Sequence, residues 1–443
     1  MDRPPDFPPP PARVAVLGAG ESGRAAVDLL RARGYEAVPC DEAATAVPAE
    51  QRCAPDPSTF DAGVVSPGFP PDHPWRQGWH GSLRGECALA AHCWPGPVLA
   101  VTGTNGKSTL VSLLTAALQA AGEKATACGN FGRAWSRVCL EEGEPDRWAV
   151  VEASSFQIHD WPAPAPEGAL WTNFAVDHLD WHPDESHYFR SKARLVAGAR
   201  HSWVGPGVAA AAQALGESLP EGVATVAEDP EDSPPPDSLF SRAPFRELYA
   251  LARAWWGGTG RDPAALAAAA RDFRGLPHRC EALGTLHGWA VINDSKATNG
   301  HAAVAAARAA EDPVLWIGGG SEKGEDPAAI AGALAPQISA AFCFGSTGGA
   351  LAEGFAGAGV TATSAPDLGT LWPRVLAHLS GQPAGTILFS PGFASFDQYG
   401  SYAARGDHFR RLVRTAPDRA GQPGGMVLSV DDVNGTTVRE SNT

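Results

Sequence analysis

The segment GPVLAVTGTNGKSTLVSLLTAALQAAG (96–122) constrains the fold of this chain more than any other. An apolar run ends in a glycine turn, and apolar residues at helical spacing follow at once. A strand that feeds a helix in this way belongs to a parallel, helix-covered sheet, because the chain must cross back before the next parallel strand can pair. The turn itself, Gly103-Thr104-Asn105-Gly106-Lys107-Ser108-Thr109, carries chemistry. Its backbone N–H groups and the helix N-terminus can cradle phosphate oxygens, Lys107 adds a positive charge, and Ser108 or Thr109 offers a hydroxyl to Mg²⁺. The spacing departs from G-x-x-x-x-G-K-[ST], since Val101 stands where the first glycine belongs.

The strand-then-helix pattern recurs on both sides. RVAVLGAG (13–20) precedes a helix expected over 22–34, with Ser22 as N-cap and Gly34 as its stop, and further strands are expected at 36–41 and 62–68. WAVVEASS (148–155) and GALWTNF (168–174) read as strands with polar residues at their carboxyl ends, where ligands sit in open parallel sheets. A third series runs through LPHRCEAL (276–283), WAVINDSKATN (289–299), PVLWIGGG (313–320), AAFCFGS (340–346) and TILFSPGF (386–393). A chain of 443 residues is too long for one ordinary core. The three series divide it into α/β blocks at 1–95, 96–275 and 276–418. The proline-rich leader is expected to be disordered, EDPEDSPPPDSL (228–239) to be a surface loop, and the tail from 419 to be mobile.

A net charge of −15 argues against broad binding to nucleic acid or to an anionic membrane, so an anionic ligand needs a local basic site. The eight cysteines show neither C-x-x-C pairs nor zinc-type spacing and read as free thiols in a reducing compartment. No stretch reaches the roughly 18 to 20 apolar residues of a bilayer span, and a cytoplasmic location is expected.

Several other residues stand where chemistry is done. GAGESG (18–23) fits G-x-G-x-x-G, with Asp41 or Glu42 as the acidic residue that follows; without a hydride-transfer site elsewhere, a nucleotide-diphosphate anchor is favoured over NAD. Glu152 ends an apolar strand and His178 lies at the end of another; with the Ser108 and Thr109 hydroxyls they could hold hard divalent cations. Lys192 falls on an expected helix, where a solvated lysine is the ordinary reading. NDSKATN (293–299) and SPGFASFDQY (390–399) are loops suited to carboxylate capture, with Lys296 as the charged partner.

The order of these motifs resembles the Mur ligase family over nearly the whole chain, and I-N-D-S-K-A-T-N and S-P-G-F-A-S-F-D-Q-Y resemble its D-glutamate-adding branch. The resemblance implies three domains: a Rossmann-like N-terminal domain for a UDP-linked substrate, a P-loop mononucleotide-binding central domain for ATP, and a dinucleotide-fold-like C-terminal domain that brings the amino acid. It implies Glu21, Ser22, Asp41, Ser66, Pro67, Gly68 and Asn130 around UDP-N-acetylmuramoyl-L-alanine. Lys107, Ser108 and Thr109 would take ATP phosphates and Mg²⁺, and Glu152 and His178 would be metal ligands. Lys192 would be carbamylated and become a further ligand to Mg²⁺. Arg279 and Asp294 would hold ATP, while Lys296, Thr298, Lys323, Ser395 and Tyr402 would surround D-glutamate. Lys107, His178, Lys192 and Lys296 would be the catalytic set, in a protein expected to be a monomer.

The reaction so implied turns a carboxylate into an acyl phosphate that an amine then attacks. One departure concerns the base: the family's H-N-x-x-N stretch reads Ala243-Pro244-Phe245-Arg246-Glu247 here, so both asparagines are lost. ATP is still expected, because the phosphate side is intact. The alternatives are a sister ligase of the Mur or folylpolyglutamate type and a nucleotide-binding homologue that has lost catalysis.

Overall fold

The computed structural model describes residues 7–42, 47–48, 51–79, 82–161, 165–179, 181–226, 233–322 and 324–417. Most of the leader, Lys323 and the tail beyond 417 lie outside them. The chain forms two compact units that meet in sequence between Arg274 and Gly275.

The first unit contains two sheets. β1 (Arg13–Leu17), α1 (Glu21–Ala32), β2 (Glu36–Cys40), β3 (Ala62–Val65) and β4 (Leu83–Gly85) build a parallel sheet of order β2-β1-β3-β4, and α2 (Glu86–Cys93) follows. The second sheet takes β5 (Val98–Thr102), then α3 (Lys107–Ala120), β6 (Lys124–Gly129), α4 (Trp135–Glu142), β7 (Arg147–Glu152) and α5 (Ser155–His159). It continues with β8 (Gly168–Trp171), α6 (Glu185–Gly198), β9 (His201–Val204), α7 (Pro206–Leu215) and β10 (Ala224–Thr225), before α8 (Arg246–Gly258) and α9 (Pro263–Asp272). Its order is β10-β9-β8-β5-β7-β6, all parallel.

The central strands β3, β5 and β8 are apolar and buried almost throughout, as strands covered on both faces must be. α1 and α2 pack on α4, and one apolar core runs from Val14 and Leu30 through Trp135 to Val151 and Trp171. The second unit holds β11 (Glu281–Leu286), β12 (Trp289–Asn293), α10 (Gly300–Ala309), β13 (Val314–Gly319), α11 (Pro327–Leu334), β14 (Ala340–Phe344), α12 (Gly348–Gly357), β15 (Thr361–Ala365), α13 (Leu368–Leu379), β16 (Thr386–Phe389) and α14 (Tyr402–Arg414). Its sheet has the order β11-β12-β16-β13-β14-β15, with β11 alone antiparallel.

Two local expectations are corrected. α1 starts at Glu21 with Gly20 at the N-cap and no capping side chain, so Ser22 is inside the first turn. Gly20 can take the extended cap conformation without help, which leaves the first-turn N–H groups without a side-chain cap. His178 does not end a strand: β8 stops at Trp171 and His178 sits in the loop beyond it, in left-handed backbone at φ 59°. Among the described residues no helix is long and apolar enough to cross a membrane, and all eight cysteines are free.

Candidate active site

β5 lies between β8 and β7, so the chain leaves it where its neighbours lead to opposite flanks, the position that opens a crevice at the carboxyl edge of a parallel sheet. The phosphate-type loop occupies that point. Gly103 has φ 142° and a Cβ on it would lie 1.9 Å from the Thr172 hydroxyl; Gly106 has φ 81° and its Cβ would press on Leu248 at 2.8 Å. Only glycine fits either place. The loop is braced from β8: Asn105 N donates to Asn173 Oδ1 (2.9 Å), the Thr172 hydroxyl donates to Asn105 O (2.6 Å), and Thr104 N donates to Asn173 O (3.1 Å). Lys107 Nζ donates to the carbonyls of Gly103 (2.8 Å) and Thr104 (2.9 Å), which keeps its charge on the loop.

Ser108 is the second residue of α3 and is buried, and its hydroxyl donates to Glu152 Oε2 at the end of β7. The other Glu152 oxygen accepts Asn130 Nδ2 at 3.0 Å, and Asn130 N donates to Glu152 O. A carboxylate only 3% exposed therefore stands beside a buried hydroxyl at the helix N-terminus. These hard oxygen donors fit Mg²⁺, which usually takes one or two carboxylates and completes its shell with phosphate oxygens and water. Among the described residues no group of three His, Cys, Asp or Glu side chains forms a metal cage. Thr109 is buried one residue further along α3.

Lys192 overturns the ordinary reading of a helix-face lysine. It is 2% exposed, its Nζ donates to Gly103 O at 2.9 Å, and it lies over the Tyr188 ring at 4.5 Å. Burial, and then the neighbouring Lys107 charge, hold its pKa well below the ordinary lysine value against the pull of Asp177 and Glu152. The Tyr188 hydroxyl meets Thr104 Oγ1 at 3.2 Å, tying α6 to the loop. The His178 ring packs edge-on to Phe156 and Tyr188, and its Nε2 lies 3.7 Å from Asp177 Oδ2. Sequence reasoning passed over Asp177 and Tyr188. It also missed His182, which is buried between the Ser155 hydroxyl (2.9 Å) and His187 (2.8 Å) and is pushed down to about 3 by burial.

A cavity of about 480 Å³ opens at the carboxyl edge of the first sheet. Its lining gathers Glu21, Ser22, Asp41, Ser66, Pro67 and Gly68, all expected there, and adds Phe69 and His73. Asp41 Oδ2 accepts the Ala19 N–H at 2.6 Å, so the acidic residue braces the glycine turn. The Ser66 hydroxyl is buried in that wall and has no hydrogen-bond partner among the described residues. Asn130 is not among the lining residues; its partner is Glu152.

In the second unit, Lys296 Nζ lies 4.2 Å from the centroid of the Tyr402 ring, and the Ser295 hydroxyl donates to Tyr402 O. The fully buried Arg405, which sequence reasoning missed, donates to Ser295 O, Phe393 O and Ala394 O, drawing together the loops that carry Lys296 and Ser395. Thr298 is half-buried on the same turn as Lys296, and Lys323 lies outside the described residues. Arg279 belongs to the turn before β11, its N–H donating to Leu276 O. Asp294 is buried: Oδ1 accepts Cys280 N and Oδ2 accepts the Ser390 hydroxyl.

Burial raises the Asp294 pKa to about 6. A carboxyl raised above its unfolded value favours the folded state at low pH, and that contribution is lost as pH rises from about 4 through about 6. Asp294→Asn can keep both hydrogen bonds without the charge. Its melting temperature relative to the unsubstituted protein is therefore expected to rise between pH 4.5 and pH 7.5; a constant difference would show that Asp294 is not the titrating group.

A braced phosphate-type loop at the switch point of a parallel sheet defines an α/β protein with a mononucleotide-binding centre. The model of the Mur ligase middle domain matches residues 101–211. A UDP-N-acetylmuramoylalanine–D-glutamate ligase from a Nostoc species is 33% identical over 90% of this chain and 96% of its own length. Its counterpart from Mycobacterium leprae is 33% identical over 92% and 98%. In fold, the chain is similar to the UDP-N-acetylmuramate-alanine ligase of Thermotoga maritima, with TM-score 0.56 and 13% identity over 90% of this chain and 98% of that one. The chain belongs to the Mur ligase family.

Proposed function

We propose that the chain is an ATP-dependent amide ligase that adds D-glutamate to UDP-N-acetylmuramoyl-L-alanine, forming ADP and phosphate, in peptidoglycan precursor synthesis. The observation that carries this reading is the convergence of Lys107, the Ser108–Glu152 pair and the buried Lys192 on one braced loop. The names of relatives that match nine-tenths of the chain supply the substrates.

In this reading the cavity of the first sheet takes the UDP moiety, residues 96–275 take ATP, and residues 276–418 bring D-glutamate. Lys107 and the loop N–H groups would hold the phosphates, and Ser108, Thr109, Glu152, His178 and Lys192 would hold Mg²⁺. The chemistry supplied there by Mg²⁺ would be to offset charge on the transferring phosphoryl group. The substrate carboxylate attacks the γ-phosphorus and ADP leaves; the amine of D-glutamate then attacks the acyl carbon and phosphate departs. Arg279 and Asp294 support ATP, while Lys296, Thr298, Lys323, Ser395 and Tyr402 surround D-glutamate. Asn130 serves both Glu152 and the muramoyl end of the substrate. Burial holds the Lys192 pKa well below the ordinary lysine value, which favours addition of its amine to CO₂ with loss of a proton, and the carbamate would supply a further anionic oxygen. The protein acts in the cytoplasm as a monomer.

Phosphate release should require both UDP-N-acetylmuramoyl-L-alanine and D-glutamate. Release with a different amino acid would assign the chain to a sister ligase, and no release with any amino acid would make it a binding protein. Comparable turnover with ATP and GTP would show that the base contact is missing, as the Ala243–Glu247 stretch suggests.

A further inference from the structure

We propose that Arg76 is a positioning residue that ties the wall of the first-sheet cavity to the helix beside Glu152. The inference rests on the reading that this cavity takes the UDP-linked substrate. Arg76 ends a short turn just after the Ser66–His73 segment, much of which lines the cavity. Its Nη1 donates to Phe69 O at 3.0 Å and to Asp160 Oδ2 at 3.0 Å, while Nη2 donates to Asp160 Oδ1 at 2.5 Å. One planar guanidinium thus joins the backbone of the cavity wall to a carboxylate 84 positions away.

Asp160 caps the far end of α5, and its backbone carbonyl accepts the Gly85 N–H at the end of β4 (3.0 Å). The near end of α5 is held by a capping box, with Ser154 and Gln157 bonded reciprocally, two residues beyond Glu152. A helix of one and a half turns, clamped at both ends, transmits displacement instead of absorbing it. The two side chains are 9% and 12% exposed, so the forked pair is largely removed from water. A desolvated two-point contact has one good geometry, and losing one partner leaves the other charge buried and unpaired. Surface ion pairs elsewhere, such as Arg13 with Glu36 at 44% and 67% exposure, lack that constraint. The consequence for the reaction is that seating the UDP end sets where the far, reacting end of the substrate meets the Glu152 centre.

The test uses the full-length protein, titrating UDP-N-acetylmuramoyl-L-alanine by calorimetry and measuring KM for all three substrates. Arg76→Ala should raise Kd and KM for the UDP substrate roughly tenfold, with KM for ATP changed less than about twofold. The exchange Arg76→Asp with Asp160→Arg should recover much of that loss, and Arg76→Lys, which keeps the charge without the fork, should fall between. If Arg76→Ala does not fold, Arg76→Lys carries the comparison. An unchanged Kd in these variants overturns the proposal alone. Equal rises in every KM that follow the loss of melting temperature and are not recovered by the exchange also overturn it. Failure of the unsubstituted protein to bind the UDP substrate overturns the cavity reading and the proposal together.

Discussion

Lys192→Ala is expected to lower turnover by roughly a hundredfold or more, and a small carboxylate such as acetate or formate should restore part of it. The side chain is buried, bonded to the Gly103 carbonyl and stacked on Tyr188, so there is no solvated route around its loss. Its pKa is held down chiefly by burial and then by Lys107. A neutral amine has the free electron pair that adds to the carbon of CO₂; the amine proton leaves to solvent and an anionic carbamate remains. On Lys192 that reaction would place an anion beside Lys107, where a second buried cation is costly. Initial rates measured against carboxylate concentration decide the matter. Loss of activity without rescue makes Lys192 a structural residue, and unaltered turnover removes it from the mechanism.

Glu152→Gln should raise the Mg²⁺ concentration for half-maximal activity by about tenfold or more, with lower turnover at saturating metal. The substitution isolates the charge. Glutamine can still accept the Asn130 amide with its oxygen while its NH₂ faces the Ser108 hydroxyl, which can turn its hydrogen away and accept. The melting temperature should therefore stay near that of the unsubstituted protein. A metal titration identical to that of the unsubstituted protein would show that Glu152 serves the fold and not the ion.

The strong strand-and-helix alternation made the sheets legible, because strands buried on both faces must be apolar throughout. The weaker edge strands were not: Lys124–Gly129, Thr361–Ala365 and the two-residue Ala224–Thr225 carry polar or small residues and offer no such run. Ser22 reads as a cap because a serine near a glycine turn is a common signal, whereas Gly20 takes the cap without a side-chain bond. His178 reads as a strand end in the sequence because local pattern cannot say where a four-residue strand stops.

By itself the sequence determined which residues could do chemistry and in what order they occur: a glycine loop before a helix, acids and small polar residues after apolar runs, lysines in defined motifs. Those are short-range facts, set by the few backbone shapes glycine alone allows and by the cost of burying a charge. Tertiary structure alone decided which of them meet. Gly103 and Lys192 are 89 positions apart, Ser108 and Glu152 are 44, and Arg76 and Asp160 are 84. Such contacts form only after parallel crossovers bring strand ends to one edge, and no local periodicity encodes the partner of a buried charge. Hence Lys192 reads as solvated in the chain and proves buried in the fold.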